Sequence, residues 1–187
     1  MKFKTFLAFF TLSLIFFSKA SASYDLNAIN HEWLGWTNEI REKAWAKKLT
    51  MDEKLNSTAL SWSEYSKQRW FIDHKRPGQK AYYDYKKIWS WFSSKWVAFK
   101  KVKWSTFSES IWWNTYRCSK EDCTQDISKA IHKTFDMYMR EKWKKYKPHY
   151  NSIVNPQFWK AWIWIALDES KRKYYITIHY WTEVLYK

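Results

Sequence analysis

Two segments of the sequence combine several lysines with a tryptophan, and this combination suits binding to an anionic surface. Lysine ammonium groups attract phosphate and carboxylate groups, and an indole ring favours the boundary between an apolar phase and water. The residues concerned are Lys100, Lys101, Lys103, Trp104, Trp143, Lys144, Lys145 and Lys147. We therefore predict that they bind a lipid or another partner, although lysines scattered over a solvated face produce the same pattern.

Catalytic motifs are absent from the sequence. It contains no Gly-x-Gly-x-x-Gly, no phosphate-binding loop, no His-Glu-x-x-His and no Gly-x-Ser-x-Gly. The five histidines are dispersed, and the pairing of His132 with Asp136 at one-turn spacing is common on helices by chance. We therefore expect no enzymatic activity, no cofactor and no metal site.

Cys118 and Cys123 are the two cysteines of the chain. A zinc site needs more ligands than two thiolates, and an oxidising secretory route favours a disulfide that closes this short loop. Two free buried thiols are the alternative.

The first 22 residues have the features of a secretory signal peptide. Lys2 and Lys4 precede an apolar run, and the small-x-small pattern Ala20-Ser21-Ala22 ends the segment. The apolar run, from Phe6 to Phe17, is shorter than the roughly 20 residues that cross a bilayer. We therefore expect segment 1–22 to be removed and segment 23–187 to form one secreted domain without a transmembrane span.

The expected mature chain is strongly basic. Without the lysines of segment 1–22 it keeps 30 basic residues against 18 acidic ones, a net charge of +12. This charge favours an anionic phospholipid surface or an acidic glycan. Secretion argues against nucleic acid as the partner, and six arginines among 33 basic residues favour diffuse attraction over bidentate phosphate recognition.

Glycine and proline are scarce, which favours helices over a multi-stranded sheet. The chain has two glycines and three prolines, so residues typical of tight turns are few. We predict an all-α, single-domain bundle of about five amphipathic helices, some of them long. They are expected over 26–49, over 50–74 after a capping box at Thr50 to Glu53, over 79–117 with a break near Ser105, over 127–147, and from Pro156 onward.

The last segment of the chain fits two patterns. Residues Ile176 to Tyr180 alternate as a strand does, whereas Tyr174, Ile178 and Trp181 recur at helical spacing. A lone strand would have no partner, so we predict a helix.

Tryptophan is unusually frequent, with 16 residues beside 13 tyrosines. Pairs such as Trp112/Trp113 and Trp162/Trp164 point in different directions on a helix, so we expect several exposed indoles. Most rings are otherwise ordinary core, and crevices between flat rings offer an apolar pocket for an acyl chain as a further option.

The sequence resembles the tryptophan-rich antigen family of Plasmodium, the malaria parasites. The residues that carry the resemblance are His31-Glu-Trp33-Leu-Gly-Trp36, Trp62-Ser-Glu-Tyr-Ser-Lys-Gln-Arg-Trp70, Trp89-Ser-Trp91-Phe-Ser-Ser-Lys-Trp96 and Glu141-Lys-Trp143-Lys-Lys-Tyr146. The resemblance implies an all-α, non-enzymatic domain at the parasite surface, in the parasitophorous vacuole or in the infected red cell. Such a domain would bind lipid or the red-cell membrane surface. An adhesin for a host surface protein is the alternative, and a purely structural antigen is a third.

Overall fold

The computed structural model describes residues 23–80, 84–99 and 107–186, in which helices cover both faces of a four-stranded sheet. The helices are α1 (Leu26–Lys43), α2 (Asn56–Arg69), α3 (Tyr85–Ser93), α4 (Thr124–Arg140) and α5 (Pro148–Val154), with short 3-10 turns at Glu53–Leu55 and Glu141–Trp143. The strands are β1 (Thr50–Met51), β2 (Val97–Phe99), β3 (Phe107–Thr115), β4 (Lys160–Asp168), β5 (Lys173–Trp181) and β6 (Val184–Tyr186).

The main sheet has the strand order β1-β4-β5-β3. Strands β4 and β5 form an antiparallel hairpin in which Ile163 pairs with Ile178. Strand β3 is antiparallel to β5 on the other side, and the short β1 runs parallel to β4. Strands β2 and β6 form a separate antiparallel pair.

The central strands carry apolar side chains on both faces of the sheet, because successive side chains of a strand point to opposite faces. These side chains form two apolar cores. Ile163, Ile165 and Ile176 belong to the core beneath α1, α4 and α5. Trp162 and Trp181 belong to the core on the other face, which α2 and α3 cover. The sheet is therefore enclosed between two helical layers.

Helices α1 and α4 pack side by side and run in the same direction. At their amino ends the Asp25 backbone N–H donates to Thr124 Oγ1 at 2.8 Å, and further along the ring centroids of Trp33 and Phe135 are 5.2 Å apart. The carboxyl ends of both helices consequently lie at the same end of the molecule. Within residues 23–80, 84–99 and 107–186, no helix has the length and apolar character needed to cross a bilayer.

The prediction of an all-α helical bundle is wrong, and so is the all-α fold implied by the Plasmodium resemblance. The expected helix over 79–117 contains α3, β2 and β3, and the helix expected from Pro156 is replaced by the hairpin of β4 and β5. These strands are rich in Ile, Trp and Tyr, which favour extended backbone. The tail forms a strand because β3 and β4, both predicted as helices, provide its partners.

The predicted capping box at Thr50 is also wrong. Thr50 lies in β1, where its N–H donates to the carbonyl of Trp159 at 2.9 Å, and α2 begins only at Asn56. Helices α1 and α4 overlap the segments predicted as helical over 26–49 and 127–147.

Turns in this protein use residues other than glycine. Trp45, Trp70, Trp96 and Arg172 have positive φ angles of 57°, 57°, 61° and 49°. Three of them follow the ends of helices, the position at which glycine is usual. The scarcity of glycine therefore did not exclude a sheet, because bulky residues adopt the left-handed conformation here.

Arg41 joins three segments at the carboxyl end of α1. Its buried guanidinium donates to the carbonyls of Lys47 (2.6 Å), Ile153 (2.6 Å), Asn155 (3.0 Å) and Phe158 (2.7 Å). Burial lowers the pKa of Arg41 to about 10. The arginine thus fixes the segment after α1, the end of α5 and the approach to β4 relative to one another.

Candidate functional site

The segments that follow α1 and α4 carry highly exposed aromatic side chains. Trp45 is 97% exposed, Trp143 is 83% exposed and Tyr146 is 76% exposed, and Trp159 is also exposed. We call the surface formed by residues 43–48, residues 140–147 and Trp159 the aromatic–lysine end. Exposed aromatic rings in such number mark a surface suited to a partner.

Contacts between these segments place them on one surface. Ala44 after α1, Met139 near the end of α4 and Tyr150 of α5 line a common groove of about 170 Å³. The ammonium of Lys47 lies 5.1 Å from the ring centroid of Trp159. The groove connects the position next to Trp45 with the helical turn that leads to Trp143.

Positive charge dominates the aromatic–lysine end. Its lysines are Lys43, Lys47, Lys48, Lys142, Lys144, Lys145 and Lys147. Its carboxylate, that of Glu141, is turned inward and accepts from His149 Nδ1 at 2.7 Å and from the backbone N–H groups of His149 and Tyr150. Glu42, at its edge, is exposed and lies 3.9 Å from Lys48. The outward field of this surface is therefore cationic.

Neither packing nor backbone preference accounts for the exposed tryptophan at position 45. A side chain that is 97% exposed buries almost no area, and φ of 57° costs an L-residue about 1 kcal/mol relative to glycine. Trp70 (65% exposed) and Trp96 (79% exposed) occupy the same kind of position. A strained and exposed indole is the kind of outlier from which a functional role is inferred, and of these three Trp45 is the one on the aromatic–lysine end.

The structure describes half of the predicted binding residues. Trp143, Lys144 and Lys145 are exposed, and Lys147 is half-buried. The other four, Lys100, Lys101, Lys103 and Trp104, lie outside the described residues. The sequence reasoning missed Trp45 and Trp159, although Trp45 has the same lysine-flanked pattern, with Lys43 before it and Lys47-Lys48 after it.

The opposite end of the sheet also exposes aromatic rings, but its charges are mixed. Lys171 Nζ lies 2.8 Å from the ring centroid of Trp70, in the neighbourhood of Asp168 and Glu169. Asp168 accepts from Ser170 Oγ, and this hydrogen bond lowers its pKa. This hairpin end, formed by Trp70 and residues 168–173, carries three cationic side chains against two carboxylates, a smaller cationic excess than that of the aromatic–lysine end.

The cavity between α1 and the sheet is too small for an acyl chain. Its volume is about 10 Å³, room for about one water molecule, and its lining includes Trp33, Thr37 and Tyr180. The acyl pocket considered from the tryptophan content is therefore not found at this position.

A buried carboxylate lies on the other side of the sheet, in the core that α2 and α3 cover. Glu109 Oε1 accepts from His74 Nδ1 at 2.8 Å and from Arg76 Nη1 at 3.1 Å. Its Oε2 accepts from Arg76 Nη2 at 2.5 Å and from His179 Nε2 at 2.8 Å. Thr58 Oγ1 lies 3.0 Å from the other ring nitrogen of His179. Both carboxylate oxygens are thus engaged by two donors each.

This network holds a charge pair rather than exposing a reactive group. Burial alone would raise the pKa of Glu109, but Arg76 and the two imidazoles bring it well below its usual value. Burial also lowers the pKa of His179, so its neutral form is favoured. The ring centroids of Trp62 and Trp91 lie 3.7 and 4.4 Å from the Arg76 guanidinium. We interpret the network as a structural tie between the segment after α2 and strands β3 and β5.

Sequence reasoning missed this network, because its members are far apart in the chain. His74 and His179 are two of the five dispersed histidines, and the register that places Glu109 opposite His179 is visible only in the sheet. In the part of the chain that the structure describes, no group of three or more His, Cys, Asp or Glu side chains is arranged to hold a metal ion.

Comparisons with known proteins identify the fold. No protein-family model matches the chain, and no curated protein matches it. An outer surface protein from Borrelia burgdorferi is similar in structure, with a TM-score of 0.58 and 11% identity over 85% of this chain and 96% of that one. An extracellular protein containing an SCP domain from Bacillus anthracis gives 0.53 and 16% identity over 84% of this chain. BmVAL-1 gives 0.51 and 12% identity over 82% of this chain and 76% of its own.

These likenesses describe the fold and no more. The chain spans about two fifths of the Bacillus anthracis protein, 41% of its length, so the match concerns one part of that protein. All three identities are below the level at which function follows from structural similarity. None of the three names describes a tryptophan-rich antigen, and the Plasmodium resemblance stays a prediction.

Proposed function

We propose that this protein is a secreted, non-enzymatic module that binds anionic phospholipid membranes peripherally through the aromatic–lysine end. The observation that carries the proposal is the pairing of two almost fully exposed indoles, Trp45 and Trp143, with a surrounding surface of lysines. An indole settles among lipid headgroups, and neighbouring ammonium groups neutralise lipid phosphates and carboxylates.

The expected energies are large enough for binding. Each lysine near an anionic membrane contributes about 1 kcal/mol. An indole that withdraws about 80 Å² of apolar surface from water contributes about 2 kcal/mol. Two indoles and the seven lysines together give about 11 kcal/mol, so an association cost of about 4 kcal/mol leaves about 7 kcal/mol, a dissociation constant of about 10 μM.

Secretion supports the proposal because it brings the protein to membrane surfaces outside the cytoplasm. The names of two structural neighbours describe an outer surface protein and an extracellular protein. The Cys118–Cys123 disulfide is of the kind that persists in oxidising compartments. A red-cell membrane as the target comes from the Plasmodium resemblance alone.

Co-sedimentation with phospholipid vesicles tests the proposal. The protein is expected to sediment with equimolar phosphatidylserine and phosphatidylcholine vesicles at low salt and to be released as the ionic strength rises, because salt screens the attraction. Replacing Lys144, Lys145 and Lys147 together by glutamine is expected to weaken binding about 100-fold.

Two tryptophan variants provide a matched comparison. Trp45→Gly and Trp70→Gly each remove an exposed indole from backbone with φ of 57°, but at opposite ends of the sheet. We expect Trp45→Gly to weaken vesicle binding about 30-fold and Trp70→Gly to change it less than about 2-fold. Equal losses in the two variants, or no sedimentation of the unaltered protein at low salt, would reject the proposal.

The same preparation separates lipid binding from the adhesin alternative. A protein-directed adhesin would bind intact cells, would lose that binding after protease treatment of the cells, and would ignore vesicles. That combination of results would replace the membrane proposal.

A further inference from the structure

The chain that leads into α1 runs alongside the loop that the Cys118–Cys123 disulfide closes. The Ser23 N–H donates to the carbonyl of Glu121 at 2.8 Å, and the Cys123 N–H donates to the carbonyl of Ser23 at 2.9 Å. Ser23 and Asp122 form a parallel β-bridge. Ser23 Oγ adds a hydrogen bond of 3.3 Å to the Glu121 carbonyl. Ser23 is therefore fixed by its backbone on both sides.

This pairing continues directly into the first turns of two helices. Asp25 caps α1 by accepting from the Ala28 N–H at 2.9 Å, and its own N–H donates to Thr124 Oγ1 at 2.8 Å. Thr124, the first residue of α4, donates through its N–H and its hydroxyl to Asp122 Oδ1. The disulfide loop thus holds the amino end of α1 in contact with the amino end of α4.

Ser23 is also the residue that the sequence predicts as the mature amino terminus. The pattern Ala20-Ser21-Ala22 directs cleavage to the peptide bond between Ala22 and Ser23. Hydrolysis of this bond by a signal peptidase consumes one water and leaves a carboxylate on Ala22 and an α-ammonium on Ser23. The ammonium has three N–H donors and a positive charge where the peptide had one donor and no charge.

We propose that the Cys118–Cys123 loop is the docking site for the Ser23 α-ammonium that cleavage after Ala22 creates. The Glu121 carbonyl, already 2.8 Å from the Ser23 nitrogen, accepts one of its N–H groups. The adjacent carboxylates of Glu121 and Asp122 provide negative charge at the same turn, where the Lys120 ammonium acts on Asp122 and lies 3.9 Å from Asp126.

The charge of the loop supports this role independently of its backbone hydrogen bonds. Asp122, a carboxylate that is ionised at neutral pH in any case, accepts two hydrogen bonds from Thr124, which lower its pKa and hold its Oδ1 at the start of α4. An α-amino group has an ordinary pKa of about 7.7–8.0, so it is mostly protonated at neutral pH and attracted to this carboxylate. Cleavage therefore places a positive charge next to Glu121 and Asp122, where α1 and α4 meet.

The test begins with the full chain expressed in a secreting eukaryotic host. Intact mass and amino-terminal sequencing of the product are expected to show a chain that begins at Ser23 and that has lost two hydrogens to the disulfide. A product that begins at another residue overturns the proposal.

The reactivity of the new amine tests the docking itself. Acylation of the Ser23 amine at pH 7.5 is expected to be about threefold slower in the folded product than after urea unfolding, which corresponds to a modest stabilisation of the ammonium. Glu121→Gln with Asp122→Asn is expected to restore most of the rate, whereas Glu39→Gln, at an exposed position on α1 outside this loop, should not.

Reduction of the folded product provides a second measurement that needs no cysteine variant. Opening the disulfide with a phosphine is expected to raise the acylation rate of Ser23 to that of the carboxylate variant. The docking proposal is overturned, even if the chain begins at Ser23, by an acylation rate that is equal in the folded and unfolded protein. That rate would also be unchanged by the carboxylate substitutions and by reduction of the disulfide.

Discussion

Replacing Trp45 by glycine is expected to stabilise the fold while it weakens membrane binding. The side chain is 97% exposed, so its removal forfeits almost no packing. Its φ of 57° costs an L-residue about 1 kcal/mol, whereas glycine adopts this conformation readily. The greater freedom of glycine in the unfolded chain offsets about half of this gain. We therefore expect the free energy of unfolding to rise by about 0.5 kcal/mol and the melting temperature by about 1–2 °C.

Urea unfolding followed by circular dichroism measures this change, with Trp143→Gly as the control. Trp143 is similarly exposed but has no positive φ, so glycine there should lower the free energy of unfolding by about 0.5–1 kcal/mol. Vesicle binding should weaken in both variants. The change in the free energy of unfolding should have opposite signs in the two variants. This difference separates the relief of backbone strain at position 45 from the effect of losing an exposed indole.

A loss of about 1 kcal/mol or more in Trp45→Gly would refute this reasoning, because it would mean that the indole contributes to the fold. Unchanged vesicle binding in a stabilised Trp45→Gly protein would refute the other half, since the strained tryptophan would then have no role at the membrane.

Three further changes test the internal contacts. Glu109→Gln leaves the buried Arg76 without its counter-charge and should lower the free energy of unfolding at pH 7 by about 3–5 kcal/mol. Because the folded-state pKa of Glu109 is lowered, the contribution of its carboxylate is fully present above pH 4.5 and is lost as the pH falls through the folded-state pKa. Urea unfolding at pH 3.5 should therefore show a smaller difference between the variant and the unaltered protein. Arg41→Met leaves four carbonyls without their donor and should cost about 2–4 kcal/mol, measured in the same way. Replacing Cys118 and Cys123 by serine should cost about 2 kcal/mol, the value expected for so short a loop, and no change in the urea midpoint would contradict it.

The parts of the fold that follow from local pattern could be predicted from the sequence. Helices α1 and α4 each repeat apolar residues at helical spacing, as Ile127, Ile131 and Phe135 do in α4, and both were expected in about the right place. The sheet could not be recognised in the same way. Trp162 and Trp164 point in different directions on a helix but to the same face of a strand, and only the pairing of β4 with β5 decides between the two.

The candidate site was predictable to the extent that it depends on composition. The lysines around Trp143 identify their segment as a candidate binding surface from the sequence alone. A tertiary contact brings Trp45 and Trp159 together, because the Arg41 guanidinium binds the Lys47 and Phe158 carbonyls. The packing of α1 against α4 then places Trp45 beside the segment of Trp143. No local sequence pattern predicts such a contact. Glu109 and His179 meet across a separation of 70 residues for the same reason.

Fluorine NMR of protein labelled with 5-fluorotryptophan tests membrane docking most directly, with resonances assigned through the variants at positions 45, 70 and 143. On addition of phosphatidylserine nanodiscs at low salt, we predict that the resonances of Trp45 and Trp143 shift and broaden, that Trp70 stays unchanged, and that high salt reverses the effect. Unchanged resonances for Trp45 and Trp143, or a larger response from Trp70, would contradict the assignment of the aromatic–lysine end as the membrane-binding surface.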